Sequence, residues 1–359
     1  MIVPNSLIAP PRLELQVHES RTLDRVLPRL EAFAIQNGQL PLTRHPRWLK
    51  VLQAGLRHAP FCIEAVEDGK TRGFLPLAHV RSLLFGKFLV SLPYLNYGGV
   101  MADDEETANA LINRAADLAD QLDVRYLELR HEGGVDHPDL VHRVCSKVHM
   151  RLGLPKSSDD LWKDLDAKVR NQVRKGQKAG LTVDFGGLEL FPEFYAVFSH
   201  NMRDLGTPVY SPKLFIGTLR QFPGRAEFCV VRAGETPVAA SLLLHGWGVS
   251  EVPSASSLRH HNHTNANMLM YWRLLERAIS RGQNQFDFGR ASPDGSTYRF
   301  KKQWGAEPTP ADWQYYLRAG AVGDMRPDNP RYERLIRLWQ RLPVRLTQWI
   351  GPPIVRGIP

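Results

Sequence analysis

Phe61–Leu77 reads FCIEAVEDGKTRGFLPL, and Phe228–Leu243 reads FCVVRAGETPVAASLL. Each begins with a run rich in Val, Ile and Phe, passes through a short glycine turn (Asp68-Gly69-Lys70; Ala233-Gly234-Glu235) and returns in a second apolar run. β-Propensity and turn chemistry make both of them hairpins. The pattern extends downstream. Glu105–Leu122 places Ala108, Leu111, Ile112, Ala115, Leu118, Ala119 and Leu122 at helical spacing, and Arg125-Tyr126-Leu127-Glu128-Leu129-Arg130 follows. Asn265–Ser280 places Met268, Leu269, Tyr271, Trp272, Leu275 and Ile279 likewise, and after Gly282 comes Phe286-Asp287-Phe288-Gly289-Arg290. Hairpin, further strand, helix and strand therefore occur twice, and both copies end in arginine.

This order predicts an α/β (α+β) chain of two duplicated domains, each a mostly antiparallel mixed sheet covered by helices. The expected division is 1–155, 156–326 and a basic amphipathic tail, 327–359. A helix is expected over 160–179, capped by Ser158 or Asp159, and another near Pro192–Asp204. A third should open at Ser211-Pro212, a hydroxyl cap followed by a first-turn proline.

The net charge of +9 is concentrated in two places. Residues 168–180 carry five cations and no acid, and 331–356 carry six arginines and one glutamate, so the remaining body is near neutral. That excludes a uniformly basic coat. No apolar run approaches the ~18 residues of a membrane span. The N-terminus lacks the pattern of a secretion signal. Cys62, Cys145 and Cys229 are few and scattered, which favours a reducing, cytoplasmic setting.

The chain has no G-x-x-x-x-G-K-[ST], G-x-S-x-G, H-E-x-x-H or C-x-x-C. His260, His261 and His263 read as a solvated loop, and no metal is expected. The chemistry concentrates in 286–306, FDFGRASPDGSTYRFKKQWGA. Here aromatic and basic residues alternate beside a glycine loop. Such a segment suits an anionic ligand or a developing oxyanion. Tyr298 and Lys302 share a helical face, Tyr298 is with Asp287 a candidate to accept the proton of an attacking amine, and Arg290 is a candidate to bind substrate. Asp287, between two phenylalanines, is either a base or an anchor for Arg290 or Lys301. Tyr210 and Asn201 are candidates at the substrate rim. Arg170 and Arg174 lie on a basic stripe that could grip phosphates, including those of RNA. Residues 331–350, with arginines among Leu335, Leu338, Trp339 and Leu346, are expected either to touch an anionic membrane or to pack on the body, with Pro343 bending the helix.

Three stretches, LGTPVYS (205–211), NANMLMYWRLLERAISRG (265–282) and 286–306, resemble Fem-type members of the GNAT acyltransferase superfamily. More narrowly, the chain resembles FemAB-like proteins associated with the PEP-CTERM/exosortase system. The resemblance implies tandem GNAT-like domains and transfer of an acyl or aminoacyl group to an amine of a cell-envelope or exopolysaccharide precursor. It implies a role for Lys301 first, then Lys302 and Arg299, in holding substrate and oxyanion. The donor would be acyl-CoA or aminoacyl-tRNA, with no tightly bound cofactor. Residues 181–211 are too short for the helical hairpin of the tRNA-using enzymes, which argues against tRNA. Neither 254–267 nor 95–104 has the glycine-and-cation loop that usually cradles pyrophosphate. That absence motivates the alternative, a non-catalytic module that binds membrane or polysaccharide. Location at the inner membrane surface is the accompanying expectation. The oligomeric state is not legible.

Overall fold

The computed structural model describes residues 13–319 and 333–358, except 37, 39, 84, 141 and 145. The first half runs β1 (Glu14–Glu19), α1 (Ser20–Gln36), α2 (Trp48–Leu56), β2 (Ala59–Glu67), β3 (Lys70–Ser82), β4 (Gly86–Val90), β5 (Met101–Ala102), α3 (Glu105–Gln121), β6 (Tyr126–His131), β7 (His142–Val144) and β8 (Val148–Gly153). The second runs α4 (Ser158–Asp164), α5 (Ala167–Lys178), β9 (Leu181–Gly186), α6 (Phe191–Leu205), α7 (Pro212–Gln221), β10 (Ala226–Ala233), β11 (Thr236–His245), β12 (Val249–Ser257), α8 (Ala266–Ser280), β13 (Gln285–Ala291), α9 (Ser296–Lys302), β14 (Glu307–Pro310) and β15 (Asp312–Leu317). Two helices close the chain, α10 (Glu333–Trp339) and α11 (Val344–Val355).

Both hairpins form where turn chemistry places them. Asp68 and Gly69 both take the left-handed backbone of a tight two-residue turn, and Gly234 does so in the second copy. Ser211 caps α7 by accepting from Lys213 N, and left-handed Gly206 and Gly282 follow α6 and α8. The helix expected over 160–179 is broken instead. Extended Leu165 and Asp166 separate α4 from α5, and Ser157 supplies the N-terminal cap.

The two sheets have the same plan, β1-β2-β3-β4-β6-β15 against β9-β10-β11-β12-β13-β8. In each, an antiparallel run meets a short parallel pair, β4/β6 or β12/β13. The sixth strand of each sheet comes from the other half of the chain. β8 pairs with β13, and β15 pairs with β6. A cut at 155/156 therefore falls just after a strand of the second sheet. The Phe-Cys dipeptides are out of register. Phe61 faces α3, whereas Phe228 faces the core shared by both halves. The duplication rests on topology rather than on that coincidence.

That shared core draws on α1, α2, α6, α7 and one face of each sheet. α2 and α7 meet so closely that a Cβ on Gly55 would lie 2.8 Å from Leu214 Cα. α3 covers the far face of the first sheet, and α5 with α8 that of the second. The halves are thereby held in one orientation, and side chains from both can share a site.

Candidate active site

The parallel pairs set the geometry. Leu89 and Val90 pair with Leu127 and Glu128, and Val249–Glu251 pair with Gln285–Asp287. Beyond these residues the strands part. In the first half the chain leaves β4 as the loop Ser91–Gly99. Leu92 and Tyr94 take left-handed conformations there, a strain the surroundings must hold. Arg130 holds it. Its carbonyl accepts from Gly98 N and Gly99 N at 3.1 Å each, and its Nη1 donates to Leu95 O at 2.8 Å. A Cβ on Gly99 would strike the His131 ring. The loop thus presents Asn96 and Tyr97 to the second half.

There they meet β13. Asp287 is buried and accepts from Tyr97 Oη, from Arg151 Nε at 3.1 Å and from Gly289 N at 2.6 Å. Arg151 also pairs with Glu132, which Arg44 reaches from the far side. Burial would raise Glu132, but the two arginines outweigh it and hold its carboxyl below the usual range. Beside Asp287 in register, Glu251 is pushed up to about 8, first by burial and then by the Asp287 charge, although Thr43 N and Oγ1 both donate to it. Glu251 is therefore largely neutral at pH 7.

Lys301 is the buried member of α9. Its Nζ donates to Arg290 O at 2.9 Å and lies 3.8 Å from where a Gly289 Cβ would sit; Asn96 Nδ2 lies 3.3 Å from the same point. Left-handed Gly289 keeps that space open. Burial lowers the Lys301 pKa to about 8; Asp287 opposes the shift and Arg290 adds to it. Arg290 donates to Asn96 Oδ1 at 3.1 Å and has no carboxylate partner among the described residues. Its guanidinium and that of Arg130 lie 3.8 and 4.0 Å from the centroid of the Trp313 ring, brought in by β15. Burial and then Arg130 lower Arg290 to about 10. His149 stacks on Tyr97, and neither ring nitrogen has a partner. Burial first, then Arg151 and Arg290, push its pKa down to about 3.

The sequence candidates thus divide. Asp287, Arg290 and Lys301 come together. Tyr210 stands edge-on to Tyr94 at 5.7 Å, close enough to Arg130 and Arg290 to feel their charge. Asn201 donates to Ser256 Oγ at 3.1 Å on the parted stretch of β12. Tyr298 lies under Lys302 Nζ at 5.8 Å, and Arg299 is exposed and donates to Asp294 O, so these three line the outer side of α9. Arg170 closes the end of α4 by donating to the carbonyls of Trp162, Lys163 and Leu165, while Arg174 lies over Trp162. Sequence reasoning missed Asn96, Tyr97, Arg130, His149, Arg151, Glu251 and Trp313. The one local signal was the density of Tyr, Asn and Gly in 94–99.

A cavity of about 310 Å³ opens at the N-terminus of α8, lined by Ser257, Leu258, Asn265, Asn267 and Phe300 of α9 among others. The three histidines occupy a short 3₁₀ turn beside it, with His261 in the wall. No group of three or more His, Cys, Asp or Glu side chains able to hold a metal occurs among the described residues. Nor is any described helix long and apolar enough to cross a membrane.

The fold is that of tandem GNAT-like domains. The family model for an acetyltransferase (GNAT) domain matches residues 163–302, which hold Asp287, Arg290, Lys301 and the cavity. Among solved structures the chain is similar to FemX, with TM-score 0.62 and 15% identity over 85% of this chain and 97% of that one. It is also similar to a tandem GNAT protein of the clavulanic acid biosynthesis pathway, with TM-score 0.53 and 15% identity over 86% and 100%. L-PGS from Bacillus licheniformis gives TM-score 0.53 and 13% identity over 88% and 97%. At these identities the likeness concerns the fold. No curated protein matches the chain.

Proposed function

We propose that the protein is an N-acyltransferase that joins an acyl group to an amine of a cell-envelope or exopolysaccharide precursor. The observation that carries this is Lys301, a buried lysine without a carboxylate partner among the described residues, its Nζ beside Gly289 and Asn96. A lysine held there at the cost of its own desolvation is suited to stabilising negative charge that develops on a carbonyl oxygen. The acceptor nitrogen forms a new carbon–nitrogen bond, and the carbon–sulfur bond of a thioester breaks. The ammonium proton ends on the leaving thiol.

Asp287 already accepts three donors, so we assign it a positioning role. It fixes Gly289 and Tyr97 and faces the Lys301 charge. Arg290, with Asn96 and Tyr210, would hold an anionic or polar group of the substrate. Lys302 and Arg299 would act further out, at the rim.

Acyl-CoA is the donor we favour. Its support is the GNAT domain match together with the mostly polar cavity at the N-terminus of α8, the end of a helix whose dipole favours phosphate. Aminoacyl-tRNA would have to bind elsewhere, and Arg170, spent on capping α4, is withdrawn from the basic stripe. The narrower PEP-CTERM link rests on the three sequence stretches quoted above.

The test is amine-dependent release of free CoA thiol. Lys301→Ala should abolish release while thermal unfolding stays cooperative. Wild-type rates in that variant would remove the mechanism.

A further inference from the structure

We propose that the outward face of α10 and α11, together with the β3–β4 turn, docks on an anionic lipid bilayer. Seven large hydrophobic side chains are exposed among the described residues, and six lie on or beside this surface. Leu335 and Leu338 on α10 are 61% and 60% exposed, and Leu346 and Trp349 on α11 are 39% and 77% exposed. The packed side of α11 is Thr347, Gly351 and Val355; Leu346, Trp349 and Pro353 repeat along the opposite side.

The other two exposed leucines are brought alongside by the way the tail packs. Ile336 fills the space over Gly206, next to exposed Leu205. Arg203 donates to Leu342 O at 3.0 Å, and Gln340 to Asp204 O at 3.1 Å. At the far end Gly357 abuts Ser82, next to Leu83, the most exposed hydrophobic residue described. A scatter of single exposed leucines would need no explanation, but a grouped surface does.

Charge identifies the occupant. Arg334, Arg337, Arg341, Arg345 and Arg356 are exposed along the tail, and after Glu333 the sequence contains no acid. Arg81 is exposed beside the turn. Arginine heads with apolar stems, leucines and an indole on one outer surface fit the boundary between phosphate headgroups and acyl chains. No described helix can span a bilayer, so the protein would lie on it rather than cross it.

The surface also adjoins the cleft. Arg356 O accepts from Tyr94 Oη at 2.7 Å, and Gly351 packs on Val209, next to Tyr210. Docking would therefore set the cleft at the membrane. The docking itself is independent of any chemistry at Lys301.

The test is flotation of the full chain with phosphatidylcholine vesicles, with and without phosphatidylglycerol. Binding should be about tenfold or more tighter with the anionic lipid and should weaken as salt rises. The double variant Leu346→Ser, Trp349→Ser should lose about tenfold in binding with acyl transfer to a soluble amine unchanged. Leu83→Ser should weaken binding in the same direction. Should the double variant prove less stable, Arg341→Gln with Arg345→Gln should give the same loss. Absence of flotation with anionic vesicles would overturn the proposal, as would equal binding by the variants. So would a concentration-dependent dimer abolished by the double variant, since a second copy would then occupy the face.

Discussion

Replacing Lys301 by Met should remove activity and at the same time make the protein more stable near pH 7. Burial lowers the lysine from its ordinary 10.5 to about 8. Keeping the ammonium charged in that site costs the fold about 3 kcal/mol at neutral pH. The side chain returns one hydrogen bond, Nζ to Arg290 O at 2.9 Å, worth roughly 1.5–3 kcal/mol with a charged donor. Methionine is of similar length, flexible and without charge to desolvate. The difference favours the variant by up to about 1.5 kcal/mol. Its sign depends on pH. A lysine whose folded pKa lies below its unfolded one penalises the fold fully below pH 8. The penalty fades between about 8 and 10.5 as the folded protein stays neutral and the unfolded chain keeps the proton. The wild type should therefore gain stability over that interval and overtake the variant. Urea unfolding at pH 7 and pH 10, with the transfer assay alongside, reads both effects. A variant less stable by the same amount at both pH values would make Lys301 an ordinary structural lysine and refute the reasoning.

Other outcomes follow from the same structure. If the charged form of Lys301 holds the oxyanion, turnover should decline as pH rises through about 8; a rate still climbing at pH 9 would indicate a base instead. Tyr97→Phe removes one donor from buried Asp287 and should cost about 1–3 kcal/mol, with kcat reduced more than KM, as kinetics beside unfolding would show. Glu64 and Glu227 are buried carboxyls for which burial is outweighed by His18 and Arg29, and by His245 and Arg277, so that both are held near 2. Their folded values lie below the unfolded ones, so the stability they contribute is complete above about pH 4.5 and is lost as pH falls towards 2. Glu64→Gln with Glu227→Gln should flatten the acid limb of a stability–pH curve.

What the sequence revealed was whatever is decided locally. Turn chemistry at Asp68-Gly69 and Gly234, the period of α3 and α8, the Ser211 cap and the pairing of Tyr298 with Lys302 each depend on residues a few positions apart, and each is present. The exchange of β8 and β15 was not legible. A six-residue strand says nothing of which sheet it will join, and these two join sheets built by the other half. The site inherited that limit. Lys301, Asp287 and Arg290 were visible because one short stretch of sequence, β13 with the loop and helix after it, carries them. Tyr97, Arg151 and Trp313 reach them only through pairings across the two halves, between residues far apart in sequence. The tail showed the same split. Its amphipathic character and its break at Pro343 were legible, while its packing against Val209, Tyr94 and Ser82 was not.

The central claim is acyl transfer at Lys301. Its most direct measurement is intact-mass analysis of amine-bearing envelope and exopolysaccharide precursors incubated with the protein and either acyl-CoA or charged tRNA. The account predicts that wild-type protein adds one acyl mass from acyl-CoA to a precursor amine and that Lys301→Ala adds none. No adduct from any donor, or the same adduct from both proteins, would contradict it.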